Sequence, residues 1–126
     1  MIKKLGIDIG ASTIKVVLLN QGEIEQTLIA THYGKIRNKI IEMIKELKLE
    51  GEIALCVTGR NDKVLAEVIP NLQTCEEIPA ITKGTLYLVP ASGSVIEIGS
   101  QSARFITELQ EKVPSFSMCR RHRILL

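Results

Sequence analysis

Two apolar, β-branched runs open the chain, Leu5–Ile9 and Ile14–Leu19, and they flank the small residues Gly10, Ala11, Ser12 and Thr13. That pattern predicts a strand, a tight turn and a second strand. Ile14–Leu19 and Glu23–Thr31 meet through Asn20, Gln21 and Gly22, which predicts a second hairpin and so a three-stranded meander. Ile36, Ile40, Ile41, Ile44, Leu47 and Leu49 then recur at helical spacing with Lys and Glu between them, and Gly51 follows as a stop. Ile53-Ala54-Leu55-Cys56-Val57 is a short apolar run, expected to be a buried parallel strand with Cys56 as a small buried hydrophobe. Thr58-Gly59-Arg60-Asn61 reads as a turn. Asp62 opens a short helix carrying Val64, Leu65, Val68 and Ile69, which Pro70 stops. Pro79 opens another, through about Leu86. Ser94–Ile98 and Ala103–Leu109 are expected to form a last hairpin through Gly99, Ser100 and Gln101.

The expected order is thus β-β-β-α-β-α-α-β-β. A meander that continues through helical crossovers predicts an α/β fold, a mixed sheet with helices packed on it. The pattern shows no internal repeat and no low-complexity linker, and the segment after Pro114 does not continue it.

Composition narrows the function classes. The 126 residues suffice for one modest domain, and 45% hydrophobic with 24% charged residues is ordinary for a globular protein. Trp is absent, with two Tyr and two Phe, which argues against an aromatic platform for single-stranded nucleic acid. A net charge of +2, much of it local to Arg120, Arg121 and Arg123, gives no case for nucleic acid. No apolar run is long enough to span a bilayer. Asp8 interrupts the first apolar stretch, so a signal peptide is not expected. Cys56, Cys75 and Cys119 are an odd number without CxxC spacing, which suggests a reducing cytoplasm rather than a disulfide framework. His32 and His122 have no ligand constellation around them, so no metal site is expected at either.

The candidate chemistry lies at the first turn. Gly10 lets the backbone approach a ligand, Ala11 keeps the turn small, and Ser12 and Thr13 add hydroxyls. Exposed backbone N–H groups there would form an anion-binding concavity. Asp8 beside it suits the hydrated Mg²⁺ of a nucleotide. Asp8 also reads as a strand-end carboxylate, and Lys15 either as a phosphate contact or as a solvated residue of an edge strand. Arg60 and Asn61 read as turn chemistry, and Glu97 and Gln101 as hairpin polar residues.

Three segments carry a resemblance: Leu5–Leu18; Val57-Thr58-Gly59-Arg60-Asn61; and Val95-Ile96-Glu97-Ile98-Gly99-Ser100-Gln101-Ser102-Ala103-Arg104-Phe105-Ile106. In this order they resemble motifs of the ATPase activators of 2-hydroxyacyl-CoA dehydratases. These, with the related ATPase subunits of benzoyl-CoA reductase, belong to the actin, sugar-kinase and heat-shock ATPase superfamily. The second segment is similar to that family's Thr-Gly-x-Gly-Arg-Asn turn, though shorter. The third is similar to Ile-Asp-Ile-Gly-Gly-Gln-Asp-Ser-Lys, with Glu97 for Asp, Ser100 for the second Gly, Ser102 for the second Asp and Arg104 for Lys. The resemblance implies a ribonuclease-H-like lobe over residues 1–118 and an ATP-dependent activator that delivers low-potential electrons to a dehydratase. It implies Mg·ATP between two lobes. Asp8 would hold a water on Mg²⁺, Gly10, Ala11, Ser12, Thr13 and Lys15 would meet phosphates, and Gly99, Ser100 and Gln101 would hold them from the other side, with Glu97 a second candidate acid. Members are homodimers sharing one [4Fe–4S] cluster. The cluster motif and the adenine-binding segment lie beyond the likeness, so no cluster and no ATPase activity are expected in this chain, a truncated lobe. Two alternatives stay open: a lobe of a small-molecule kinase, or a non-enzymatic interaction module that self-associates.

The tail, residues 119–126, reads Cys-Arg-Arg-His-Arg-Ile-Leu-Leu. The bases TGTGCCGCCGGCACCGGATCCTTCTT encode the family's Cys-Ala-Ala-Gly-Thr-Gly-Ser-Phe in frame and this tail from their third base. A shifted reading frame after Met118, and a poorly packed tail, are therefore expected; a natural basic tail is the other reading.

Overall fold

The computed structural model describes residues 2–120, with side chains through Met118. Packing divides the chain into two units, Met1–Glu76 and Glu77–Leu126.

The first unit is a mixed sheet in the order β3-β2-β1-β4-β5. Its strands are β1 (Lys3–Ile9), β2 (Thr13–Asn20), β3 (Glu23–Thr31), β4 (Ile53–Thr58) and β5 (Gln73–Thr74), with helices α1 (Ile36–Leu47) and α2 (Lys63–Ala66). The meander forms because Gln21 and Gly22 both take positive φ, 53° and 81°, as the tight hairpin turn requires. β1 then runs parallel to β4. The core follows the two-residue period of the strands. Leu5, Ile7 and Ile9 stand opposite Leu18, Val16 and Ile14, and all six are buried. Val57 of β4 lies beside them in the sheet, and Ile40, Met43 and Leu47, one stripe of α1, join the same core with Leu65. Lys48 ends α1 in the left-handed region, three residues before Gly51.

The same period corrects the reading of Cys56. It is exposed, because it alternates with buried Val57 and lies on the other face of β4. A run apolar at every position looks doubly covered in sequence, yet only one face of β4 enters the core. α2 is also shorter than the span to Pro70 suggested.

The second unit holds α3 (Glu77–Leu88) and a three-stranded antiparallel sheet, β6 (Ser94–Ile98), β7 (Ser102–Thr107) and β8 (Ser115–Arg120). β8 is a second correction. The chain after Pro114 does continue the pattern, and Ser115–Arg120 pair with β7 in unbroken register. The remaining tail, 121–126, lies outside the described residues. Arg104 and Ile106 on β7 are buried, whereas Ile96, Ile98 and Phe105 on the opposite face are 65%, 80% and 45% exposed.

Candidate functional site: two matching hairpins

The β1–β2 hairpin turns through Gly10–Ser12, closed by a 2.9 Å hydrogen bond from the Gly10 N–H to the Thr13 carbonyl. A Cβ on Gly10 would lie 3.1 Å from that carbonyl, so the tight turn favours glycine. Asp8 and Lys15 are cross-strand neighbours, and Lys15 Nζ sits 3.3 Å from Asp8 Oδ2. Both side chains stay partly open, at 39% and 47% exposure, on the face of the sheet away from α1. Thr58 of β4 flanks Asp8 on its other side.

Two segments distant in sequence hold this turn. Gly59, with φ +105°, presses against the Ile9 peptide so closely that a Cβ would run into it. Asn61 Nδ2 donates to the Gly10 carbonyl at 3.1 Å. From the end of β3, the buried His32 places Nε2 3.0 Å from the same carbonyl, and its backbone N–H donates to Ser12.

The second unit contains a matching hairpin. At one constant spacing, Asp8, Gly10 and Lys15 correspond to Glu97, Gly99 and Arg104. The Gly99 N–H donates to the Ser102 carbonyl at 2.8 Å, as Gly10 does to Thr13. Glu97 pairs across the strands with Arg104, as Asp8 does with Lys15. The two hairpins thus share a local correspondence of three positions and one turn bond. The intervening residues hid it: Ala11 and Ser12 align with Ser100 and Gln101, leaving little beyond an acid, a glycine and a base in common.

The copies differ in electrostatic setting. Arg104 is 6% exposed and bridges two carboxylates, Glu97 at 3.3 Å and Glu77 at the start of α3 by a shorter contact. Glu97 is thus committed to a buried cation, while Asp8 and Lys15 face solvent. Of the candidate residues, Asp8, Gly10, Ala11, Ser12, Thr13 and Lys15 share the first hairpin, and Glu97, Gly99, Ser100 and Gln101 share the second.

No protein-family model matches the chain, and no curated protein matches it significantly. Solved structures do. Component A of (R)-2-hydroxyglutaryl-CoA dehydratase from Acidaminococcus fermentans superposes with a TM-score of 0.79 at 24% identity, over 96% of this chain and 48% of that one. The activator of 2-hydroxyisocaproyl-CoA dehydratase from Clostridium difficile, solved with bound ADPNP, gives 0.74 at 20% identity, over 94% and 46%. The ethanolamine utilization protein EutJ from Carboxydothermus hydrogenoformans gives 0.65 at 19%, over 94% and 52%.

The fold is that of the actin-like ATPases.

The chain spans about half the length of these actin-like structures. The donor set of its first hairpin suits a metal-bound phosphate: a carboxylate for a metal-held water, small residues at the turn, and a cation beside them. Among the described residues no three His, Cys, Asp or Glu side chains converge, and Cys56 and Cys75 are free. No described helix is long and apolar enough to cross a membrane.

Sequence reading passed over His32 and Asn61 as site residues. Each meets the hairpin only through tertiary pairing, so local pattern carries no sign of His32. Asn61 had one signal, its place in the Thr58–Asn61 turn.

Proposed function

We propose that this chain is the N-terminal part of an ATP-dependent activator of the kind that supplies low-potential electrons to a 2-hydroxyacyl-CoA dehydratase. The observation that carries the reading is the open Asp8–Lys15 hairpin, with its small-residue turn, in an actin-like fold. The ADPNP bound to the Clostridium difficile activator supports nucleotide as the ligand.

In this reading the Gly10–Thr13 turn offers backbone N–H groups and hydroxyls to phosphate oxygens. Asp8 would hold a water on the Mg²⁺ that accompanies ATP, and Lys15 would offset phosphate charge. The bound Mg²⁺ would supply charge neutralisation at the transferring phosphoryl group. Gly99, Ser100 and Gln101 form a second phosphate-binding turn. Glu97, held by Arg104, is the weaker candidate acid. The partner would be a CoA-ester dehydratase or reductase, and the setting a reducing cytoplasm.

Phosphoryl transfer depends on positioning and charge from both sides of the phosphates, and this chain spans about half the length of the activators it is similar to. Purified chain is therefore expected to bind Mg·ATP weakly by calorimetry, with binding lost in Asp8→Ala, and to show no Asp8-dependent turnover. Binding unchanged in Asp8→Ala would remove the reading.

A further inference from the structure

We infer that His32 is a positioning residue that sets the direction of the Gly10–Ala11 peptide, and so aims an N–H at the incoming phosphate. The inference rests on the phosphate-binding reading of the first hairpin and deepens it.

The ring is buried, at 5% exposure, and both its nitrogens are engaged. The Gly34 backbone N–H donates to Nδ1 at 2.9 Å. Nδ1 must therefore carry a lone pair, which leaves the proton of the neutral ring on Nε2. Nε2–H then donates to the Gly10 carbonyl at 3.0 Å. Asn61 Nδ2, in the turn after β4, donates to the same oxygen at 3.1 Å. One carbonyl thus takes two donors, filling both of its lone pairs.

The consequence lies in the peptide plane. In a trans peptide the C=O and the N–H of the next residue point in opposite directions. Drawing the Gly10 carbonyl toward His32 and Asn61 turns the Ala11 N–H the other way. That N–H meets no acceptor among the described residues. His32 also fixes its own place, since its backbone N–H donates to the Ser12 carbonyl at 3.0 Å. A turn lacking this clamp could flip the peptide and present a carbonyl to the phosphate, which repels it. The second hairpin has the equivalent closure, from the Gly99 N–H to the Ser102 carbonyl, but no histidine meets its Gly99 carbonyl among the described residues. The clamp belongs to the first copy.

The test uses the full chain in ¹⁵N NMR, with His32→Phe, which keeps a ring and loses the donor, and His32→Gln, whose terminal amide restores it. The native ring is expected to show the Nε2–H tautomer in long-range ¹H–¹⁵N spectra. Mg·ADPNP is expected to shift the Ala11 amide. His32→Phe should weaken ADPNP about tenfold, the scale of losing one aimed hydrogen bond to a charged group. His32→Gln should recover most of that affinity while its melting temperature stays as low as that of His32→Phe, because both lose the Gly34 bond. A purely structural histidine would make affinity follow melting temperature in both. An Nδ1–H ring at neutral pH overturns the inference. If native chain binds no ADPNP, the phosphate reading falls, and the clamp is then judged by the free chain: an Ala11 amide resonance unchanged in folded His32→Phe sinks it. Should His32→Phe fail to fold, Asn61→Ala and the native tautomer provide the same decision.

Discussion

Lys15 and Arg104 occupy equivalent places in the two hairpins and do opposite physical work. Lys15 faces solvent beside Asp8. An exposed pair of this kind contributes about 0.2–1 kcal/mol, so Lys15→Ala is expected to leave stability nearly unchanged while weakening nucleotide. Arg104 is buried between Glu97 and Glu77, whose side chains are each about one-third exposed. Removing it strands two carboxylates, and Arg104→Ala is expected to destabilise by about 2 kcal/mol, below the fully buried case because water reaches the acids. Urea unfolding of the two variants checks the contrast, and equal losses would count against it. Asp8, Gly10, Lys15, Glu97 and Gly99 were each legible as candidates in the sequence, but their correspondence was not. Which base would be buried was not legible either, since the burial of Arg104 is completed by Glu77 on a separate helix.

At the scale of elements, segments with a clear apolar period or a tight turn were readable. β1, β2, β3, α1, β4, β6 and β7 follow from period and turn chemistry alone. β5 is two residues long, and its identity as a strand comes only from pairing with β4. β8 follows a polar, Pro-containing stretch, and pairing with β7 supplies what its own pattern lacks. Cys56 shows the related limit: an apolar run does not say which of its faces is covered. β8 should therefore behave as a true sheet member. Hydrogen exchange of the intact chain is expected to protect its ladder amides to the same order as those of β7. Exchange as fast as in an unstructured peptide would return the segment to a loose tail.

For the whole molecule, the resemblance in sequence and the likeness in structure arrive at one fold by separate routes. Ile96, Ile98 and Phe105 form an exposed apolar stripe on β6–β7, beside an edge strand. Surfaces of this kind mark association sites. The chain is expected to self-associate, and sedimentation showing only monomer at high concentration would contradict that. The central claim, that the first hairpin receives the phosphates of a nucleotide, has a more direct test. The backbone amides of the full chain are followed during titration with Mg·ADPNP. The account predicts saturable shifts at Gly10, Ala11, Ser12 and Thr13 that disappear in Asp8→Ala. No shift at these four amides up to millimolar nucleotide, or the same shifts in Asp8→Ala, would contradict it.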